Sequence, residues 1–400
     1  MARGPLTGVR IVDLTHVWAG PLGTRILGDL GADIVKIEAP LARGPAMAVG
    51  RGQGVGSFIG DPGDEHWNHQ GVYIKLNRNK KSLAIDLKTA DGRDVLLGLV
   101  ALADVVIENF SARAMPALNL GYDVLCDANP KIIYVTMPGF GTSGPYSDWV
   151  AFGPSVEPMT GLGAVVGYSK DEPRNTAIAL PDAMAGVSAA SAVVAALRRR
   201  QETGEGSMVE LTLHEAGVSL SGEFIVDAQL NGAAQPIGND HPSHALSGIY
   251  PCAGEDQWIA ITCRTERDKT ALDALRREEG CEQEDEPLET WTRRRDKHAL
   301  TELLQQAGIA AGAVNVTADF LDDAQVNARG FFTSLHRQDL PSVPLPGLPL
   351  LLDGDKPDGW QPASNLGEYN REVLRSWLGY DDDKLDALET AGVLVNRPPG

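Results

Sequence analysis

The chain offers little to metal or disulfide chemistry. Its four cysteines, Cys126, Cys252, Cys263 and Cys281, are widely spaced and form no C-x-x-C pair, which argues against a zinc site or a disulfide framework. His241 and His244 in HPSHA lie three apart with no nearby cysteine, so they read as a loop or turn and no metal is expected. Basic charge is also scarce. With 35 Lys and Arg against 54 Asp and Glu, the formal charge is −19, which excludes nucleic acid as a partner because phosphate binding needs clustered cations. An anionic ligand must then be met by a local positive patch or by backbone N–H groups. The acidic run REEGCEQEDEPLE (277–289) reads as a solvated surface loop. Long hydrophobic runs are missing too: SAASAVVAAL and VPLPGLPLLL are too short or too broken by proline to span a bilayer. The N-terminus does not run on into the apolar region and cleavage site of a signal peptide. The expectation is a soluble, cytoplasmic protein with no membrane partner.

What is present can build a large core. Four hundred residues with 43% hydrophobic content suit two or three domains. The runs RIVDLT (10–15), DIVKIE (33–38), SLAIDLK (82–88), DVVIENF (104–110) and IIYVTM (132–137) are strand-like. Helical patterns at 20–31, 90–103 and 122–130 lie between most of them. Such alternation predicts an α/β fold with a doubly wound, Rossmann-like parallel sheet and ligands outside the carboxyl ends of its strands. The turn after the first strand, THVWAGPLG, lacks G-x-G-x-x-G; Gly20 and Gly23 alone do not make a dinucleotide site, even with Glu38 placed to hold a ribose.

The stretch VGRGQGVGSFIGDPGD (49–64) is too long for an ordinary turn and reads as a lid or an excursion across a partner. MPGFGTSGPYSD (137–148) is a Gly-Pro loop placed to let a ligand approach the backbone. SMVELTLHEAGVSL (207–220) reads as a strand leading into a helix. The expected domains are 1–224, a smaller α/β unit over 225–330, and 331–400, where a Pro-rich connector (341–354) precedes two short helices. No internal repeat is evident.

One stretch poses a chemical question. ALPDAMAGVSAASAVVAALRRRQETGEG (179–206) is almost wholly small and apolar from Ala183 to Leu197, yet opens on Asp182. Asp182 reads either as a helix cap, accepting from the first free N–H groups and facing the positive helix end, or as an ionised carboxylate presented at the end of a strand as nucleophile or base. Local chemistry leaves both open.

Five ordered blocks then resemble the class III CoA-transferases, the family of formyl-CoA and carnitine CoA-transferases. They are GVRIVDLTHVWAGPLGTRILGDLGADIVKIEAP, NRNKKSLAIDLKTADGRDVLLGLVALADVVIENF, PGFGTSGPY, DAMAGVSAASAVVAALRRRQETGEGSMVELTLHEA and LGEYNREVLRSWLG, covering about 7–395. The resemblance implies a large domain, a smaller one, a C-terminal return to the first, and an interlocked homodimer. The wrapping segments would be 49–64 and 341–354. It places the family's catalytic carboxylate on Asp182, with acyl-CoA and a carboxylic acid as substrates and no permanently bound cofactor. It places CoA along His16, Val17 and Trp18 after the first strand, Ile85 and Lys88 at the third, Asn109 and Phe110 at the fourth, and Arg113.

Where relatives carry Arg after KIE and before LGL, this chain has Ala39 and Ala117. Arg113 stands in for the second and nothing replaces the first, so CoA phosphates are expected to be held more weakly or differently. The alternatives are an α-methylacyl-CoA racemase of the same family, which needs a His where Phe152 stands, and a catalytically silent CoA-ester-binding protein. Acceptor specificity is expected from loops near Gly139, Trp149 and 241–248, with His241, His244 and Arg264 suited to a second carboxylate.

Overall fold

The computed structural model describes residues 4–39, 58–169, 171–172, 174–280 and 286–398. Residues 49–57 of the Gly-rich stretch, Cys281 and the middle of the acidic run lie outside them. The described chain divides into two compact units. One comprises residues 1–162, 175–225 and 330–400; the other comprises 163–174 and 226–329.

The first unit is built on six strands, β1 (Arg10–Asp13), β2 (Asp33–Glu38), β3 (Lys80–Ala84), β4 (Val105–Glu108), β5 (Ile133–Thr136) and β6 (Ser207–Glu210). Their order is β3-β2-β1-β4-β5-β6, and every pairing is parallel. The order reverses between β1 and β4, the place where a doubly wound sheet opens a crevice for ligands.

Alternate residues feed opposite faces, as a strand's period of two requires. Val12, Val35 and Val106 join one core with Leu96, Leu99 and the C-terminal Trp377. Their neighbours Ile11, Ile34 and Val105 join the other with Leu27, Ala189 and Val193. The first face is covered by α2 (Ala90–Val100) and the helices Asn370–Leu378 and Asp382–Thr390. The second is covered by α1 (Ala19–Asp29) and α3 (Leu180–Thr203).

The third strand sits earlier than its β-branched run suggests. It stops at Ala84, after which Ile85 bridges to Leu394 and Asp86 turns the chain by accepting from the Lys88 and Thr89 backbones. The open edge of β3 does not stay bare. Ser364 Oγ accepts from Ser82 N–H at 3.0 Å and Asn370 Oδ1 from Ala84 N–H at 2.8 Å, so the C-terminal chain closes an edge that would otherwise invite another strand. The return path is pinned by Arg78. It is fully buried, grips Asp29 with two bonds of 2.7–2.8 Å, and donates to Pro346 O at 2.5 Å.

Among the described residues, α3 is the one helix long and apolar enough to cross a membrane, which no run in the sequence had appeared to be; half of that window is buried inside the protein. Its small residues explain how. A Cβ on Gly186 would stand 2.6 Å from Ala19 O, and one on Gly23 2.7 Å from Gly186 O, so α1 and α3 touch backbone to backbone.

The second unit carries an antiparallel sheet of Leu246–Pro251, Trp258–Cys263 and Ala310–Ala313. The helices Glu266–Glu278 and Lys297–Gln306 pack on it around Trp291, Leu300 and Leu304. In the first unit Phe332–Ser334 pairs with Pro344–Pro346, which lies within the Pro-rich connector.

Gly186→Ala should destabilise the protein by about 1–3 kcal/mol, because a methyl cannot enter a backbone-to-backbone contact without moving a helix. Val187→Ala, on the half-exposed face of α3, should stay within about 0.5 kcal/mol. Urea unfolding of the two variants makes the comparison.

Candidate functional site

The loop leaving β1 is tied down from below. Asp13 is wholly buried; its carboxylate accepts from Thr15 N–H (2.8 Å), Thr15 Oγ1 (2.6 Å) and Thr24 Oγ1 (2.8 Å), and it faces Lys80 Nζ at 3.1 Å. Burial pushes its carboxyl up, but Lys36, Lys80 and the Thr15 bonds overcome that and hold it well below the usual range. Lys36 Nζ donates to Thr15 O at 2.6 Å. Asn109, beyond the end of β4, completes the anchoring: its Oδ1 accepts from His16 N–H at 2.6 Å and its Nδ2 donates to His16 O at 2.8 Å. Between these fixed points Val17 takes φ 66°, a genuine outlier for a β-branched residue.

Above the loop the rings of His16 and Phe110 stack with centroids 5.1 Å apart. They form one wall of a cavity of about 260 Å³ at the carboxyl ends of β1–β4, which Ile85, Lys88 and Ala39 also line. Burial first, and Lys36 second, push the His16 imidazole down to about 4, so it is neutral near pH 7.

The sequence-picked residues therefore separate. His16, Ile85, Lys88 and Phe110 share the cavity, and Asn109 braces it. Val17 and Trp18 lie outside its lining; the Trp18 ring has Lys75 Nζ 5.8 Å from its centroid. Arg113 is exposed, with its Nε 2.8 Å from Asp148, and also lies outside the lining. Glu38, the acid considered for a ribose, is buried and bonded by Ser82 and Tyr73.

Asp182 sits within the first turn of α3, and where the two sequence readings placed it needs correction. It lies neither at a strand end nor in the capping position, which belongs to Ala179 with no side-chain cap bond. The side chain is buried, and Oδ2 has no hydrogen-bond partner among the described residues. The site also makes the acid harder to ionise than an exposed one. Burial pushes its carboxyl up to about 6, with its own backbone N–H pulling the other way.

Oδ2 rests against Gly153, where a Cβ would lie 1.9 Å from it. Gly186, one turn further along α3, abuts Ala19 at the start of α1, so the carboxylate shares the neighbourhood of the β1–α1 loop. Phe152 precedes Gly153 and is half-exposed. Gly153 and Glu157 went unnoticed in the sequence because GPSVEPMTG carries no motif.

The sheet order and its cavity put the chain among doubly wound α/β proteins with a ligand-sized recess at the switch point. More narrowly, it belongs to CoA-transferase family III, whose family description matches residues 6–370. It is 30% identical to succinyl-CoA–D-citramalate CoA-transferase of Chloroflexus aurantiacus over 98% of each chain. It is 28% identical to succinate–glutarate CoA-transferase of Agrobacterium fabrum over 93% of this chain and 95% of the other. A CaiB/BaiF family protein from Brucella suis has the same fold, with TM-score 0.82 and 27% identity over 94% of this chain and 99% of that one.

The position of Asp182 sets a pH signature. The folded state holds its proton more tightly than the unfolded chain, so the stability it contributes is present below the ordinary value of 3.8 and is lost as pH rises through about 6. Asp182→Asn removes that titration. Between pH 4 and pH 8 the wild type should lose about 2–3 kcal/mol relative to the variant; urea midpoints that move in parallel would refute the assignment.

Proposed function

We propose that the protein moves CoA from an acyl-CoA donor to a carboxylic acid, with Asp182 as the covalent nucleophile. The observation that carries this reading is the buried, unpartnered Oδ2 beside Gly153. A carboxylate oxygen with no hydrogen bond to give up, once ionised, is a better nucleophile than one engaged in capping.

Its oxygen attacks the donor thioester, forming a C–O bond and releasing CoA thiolate, which leaves a mixed anhydride. The thiolate attacks the aspartyl carbonyl, releasing the donor acid and leaving an aspartyl-CoA thioester. The acceptor carboxylate displaces thiolate to give a second anhydride. Thiolate then takes the acceptor acyl group and frees Asp182. Covalent catalysis divides one hard exchange into easier steps. No oxidation occurs, and no permanently bound cofactor is needed.

The cavity walled by His16 and Phe110 would hold the adenine end of CoA, with a neutral imidazole and a phenyl ring offering stacking faces. Lys88 at its rim would meet a phosphate. Ala39 leaves that rim open, and Arg113 would have to leave Asp148 to contribute, so phosphate binding rests chiefly on Lys88. The expected CoA-binding part, 1–224 and 331–400, and small domain, 225–330, would belong to a cytoplasmic, interlocked homodimer, with residues 163–174 grouped with the small domain.

The donor in this reading is succinyl-CoA or another dicarboxylic acyl-CoA. The two relatives above are named for succinyl and other dicarboxylic substrates. Within the second unit the rings of His241 and His244 stack at 3.7 Å. Lost hydration, then His241, then Arg264, hold His244 below the usual imidazole value. A carboxylate bound there would relieve that repulsion.

Incubation with succinyl-CoA, a hydroxylamine quench and peptide mass analysis should find a hydroxamate on Asp182. Asp182→Asn should abolish both label and turnover. The absence of label with any donor, despite acyl-CoA binding, would overturn the mechanism. The double change of His244 and Arg264 to Ala should cut kcat/KM for succinyl-CoA about 10-fold or more while sparing acetyl-CoA, the loss expected for a charge-assisted contact. Transfer from acetyl-CoA but not from succinyl-CoA in the wild type would remove the dicarboxylate assignment.

A further inference from the structure

The first turn of α3 shows why Asp182 is free. Helix starts leave N–H groups without partners, and an acid at this position ordinarily turns back to take one. Here the donors of the first three helical residues, Leu180 to Asp182, are already accounted for. Pro181 has no N–H. The N–H of Asp182 reaches Ala179 O at 3.0 Å. The N–H of Leu180 is directed to Glu157 Oε2 at 3.3 Å.

Glu157 comes from a separate 3₁₀ turn, Glu157–Thr160, and is almost fully buried. It also accepts from Thr176 N–H at 2.6 Å and Thr176 Oγ1 at 2.9 Å. Its carboxylate thus spans the turn from Thr176 to Leu180. Inside that span Ala177 and Ala179 both take left-handed conformations, φ 64° and 48°, each a strain that persists only where surrounding contacts impose it.

We propose that Glu157 is a positioning residue for the reaction: by capping α3 in place of Asp182 and clamping the strained 176–180 turn, it keeps Asp182 Oδ2 bare and seated against Gly153. This rests on Asp182 being the nucleophile. Without Glu157, the Leu180 N–H lacks its acceptor, and Asp182, two residues along the same turn, would rotate to cap the helix and leave its attacking position.

The test compares Glu157→Ala, Glu157→Gln and the double variant Glu157→Ala/Ala179→Gly. The double variant relieves the left-handed strain and keeps the experiment readable if the single Ala change fails to fold. Readouts are the single-turnover rate of Asp182 labelling from succinyl-CoA with hydroxylamine, equilibrium binding of CoA, and the thermal midpoint. Loss of Glu157 should slow labelling about 10- to 100-fold, the effect of a misplaced reacting group, with CoA binding within twofold of wild type. Gln, which keeps one acceptor oxygen, should recover part of the rate.

The double variant should fold at least as well as the single one yet stay slow. Wild-type labelling rates in folded Glu157→Ala or in the double variant would overturn the proposal, as would a loss of rate matched by an equal loss of CoA binding. If the wild-type enzyme itself takes no label, it is the nucleophile assignment that fails, so the two failures are distinguishable.

Discussion

The contact between Gly23 of α1 and Gly186 of α3 is the constraint on which the first unit's site depends. Two helices on the same face of a parallel sheet ordinarily sit 8–10 Å apart, set by their side chains. Glycine at both positions lets the backbones meet, and Ala189 and Ala190 continue the same surface. The consequence is local to chemistry: the first turn of α3 is drawn to the start of α1, so a carboxylate from one element and the loop following β1 share one neighbourhood. A larger residue at either glycine would separate two parts of the site without touching either.

The pattern of small residues from Ala183 to Leu197 was legible in the sequence as close helix packing, and the alternation of β-branched runs was legible as a doubly wound sheet. Both are local signals, 3.6 and 2.0 residues in period, and both hold. The end of β3 was misplaced because Ile85 and Leu87 look like strand residues, yet the chain there is claimed by Leu394 and by the Asp86 turn. No local signal carries a pairing with the far C-terminus.

Asp182 was legible as a residue to notice, while its environment was not. Whether an acid in a first helical turn caps depends on who else accepts the free N–H groups, and here the acceptor is Glu157 from another element. Its Oδ2 is thereby left without a partner in a buried place, and burial raises the proton affinity of the carboxyl. The same burial that disfavours ionisation leaves Oδ2 without a hydrogen bond that would blunt it once ionised.

The loop after β1 shows the opposite arrangement. Asp13, Lys36 and Lys80 are buried charges, costly unless paired and bonded, and Asp13 has an acceptor role toward two side chains and one backbone group. They do not face the cavity as catalytic groups; they hold Thr15 in place while Asn109 holds His16. Fixing the chain on both sides of Val17 is what allows a β-branched residue to remain at φ 66°, a strain of about 1–3 kcal/mol. A loop so fixed presents the His16 ring against Phe110 before any ligand arrives, so a stacked ligand pays little for ordering its wall. The two halves of the candidate site thus follow from one physical rule: charge is saturated with partners where the chain must be rigid, while one oxygen of the buried Asp182 carboxyl is left unpartnered.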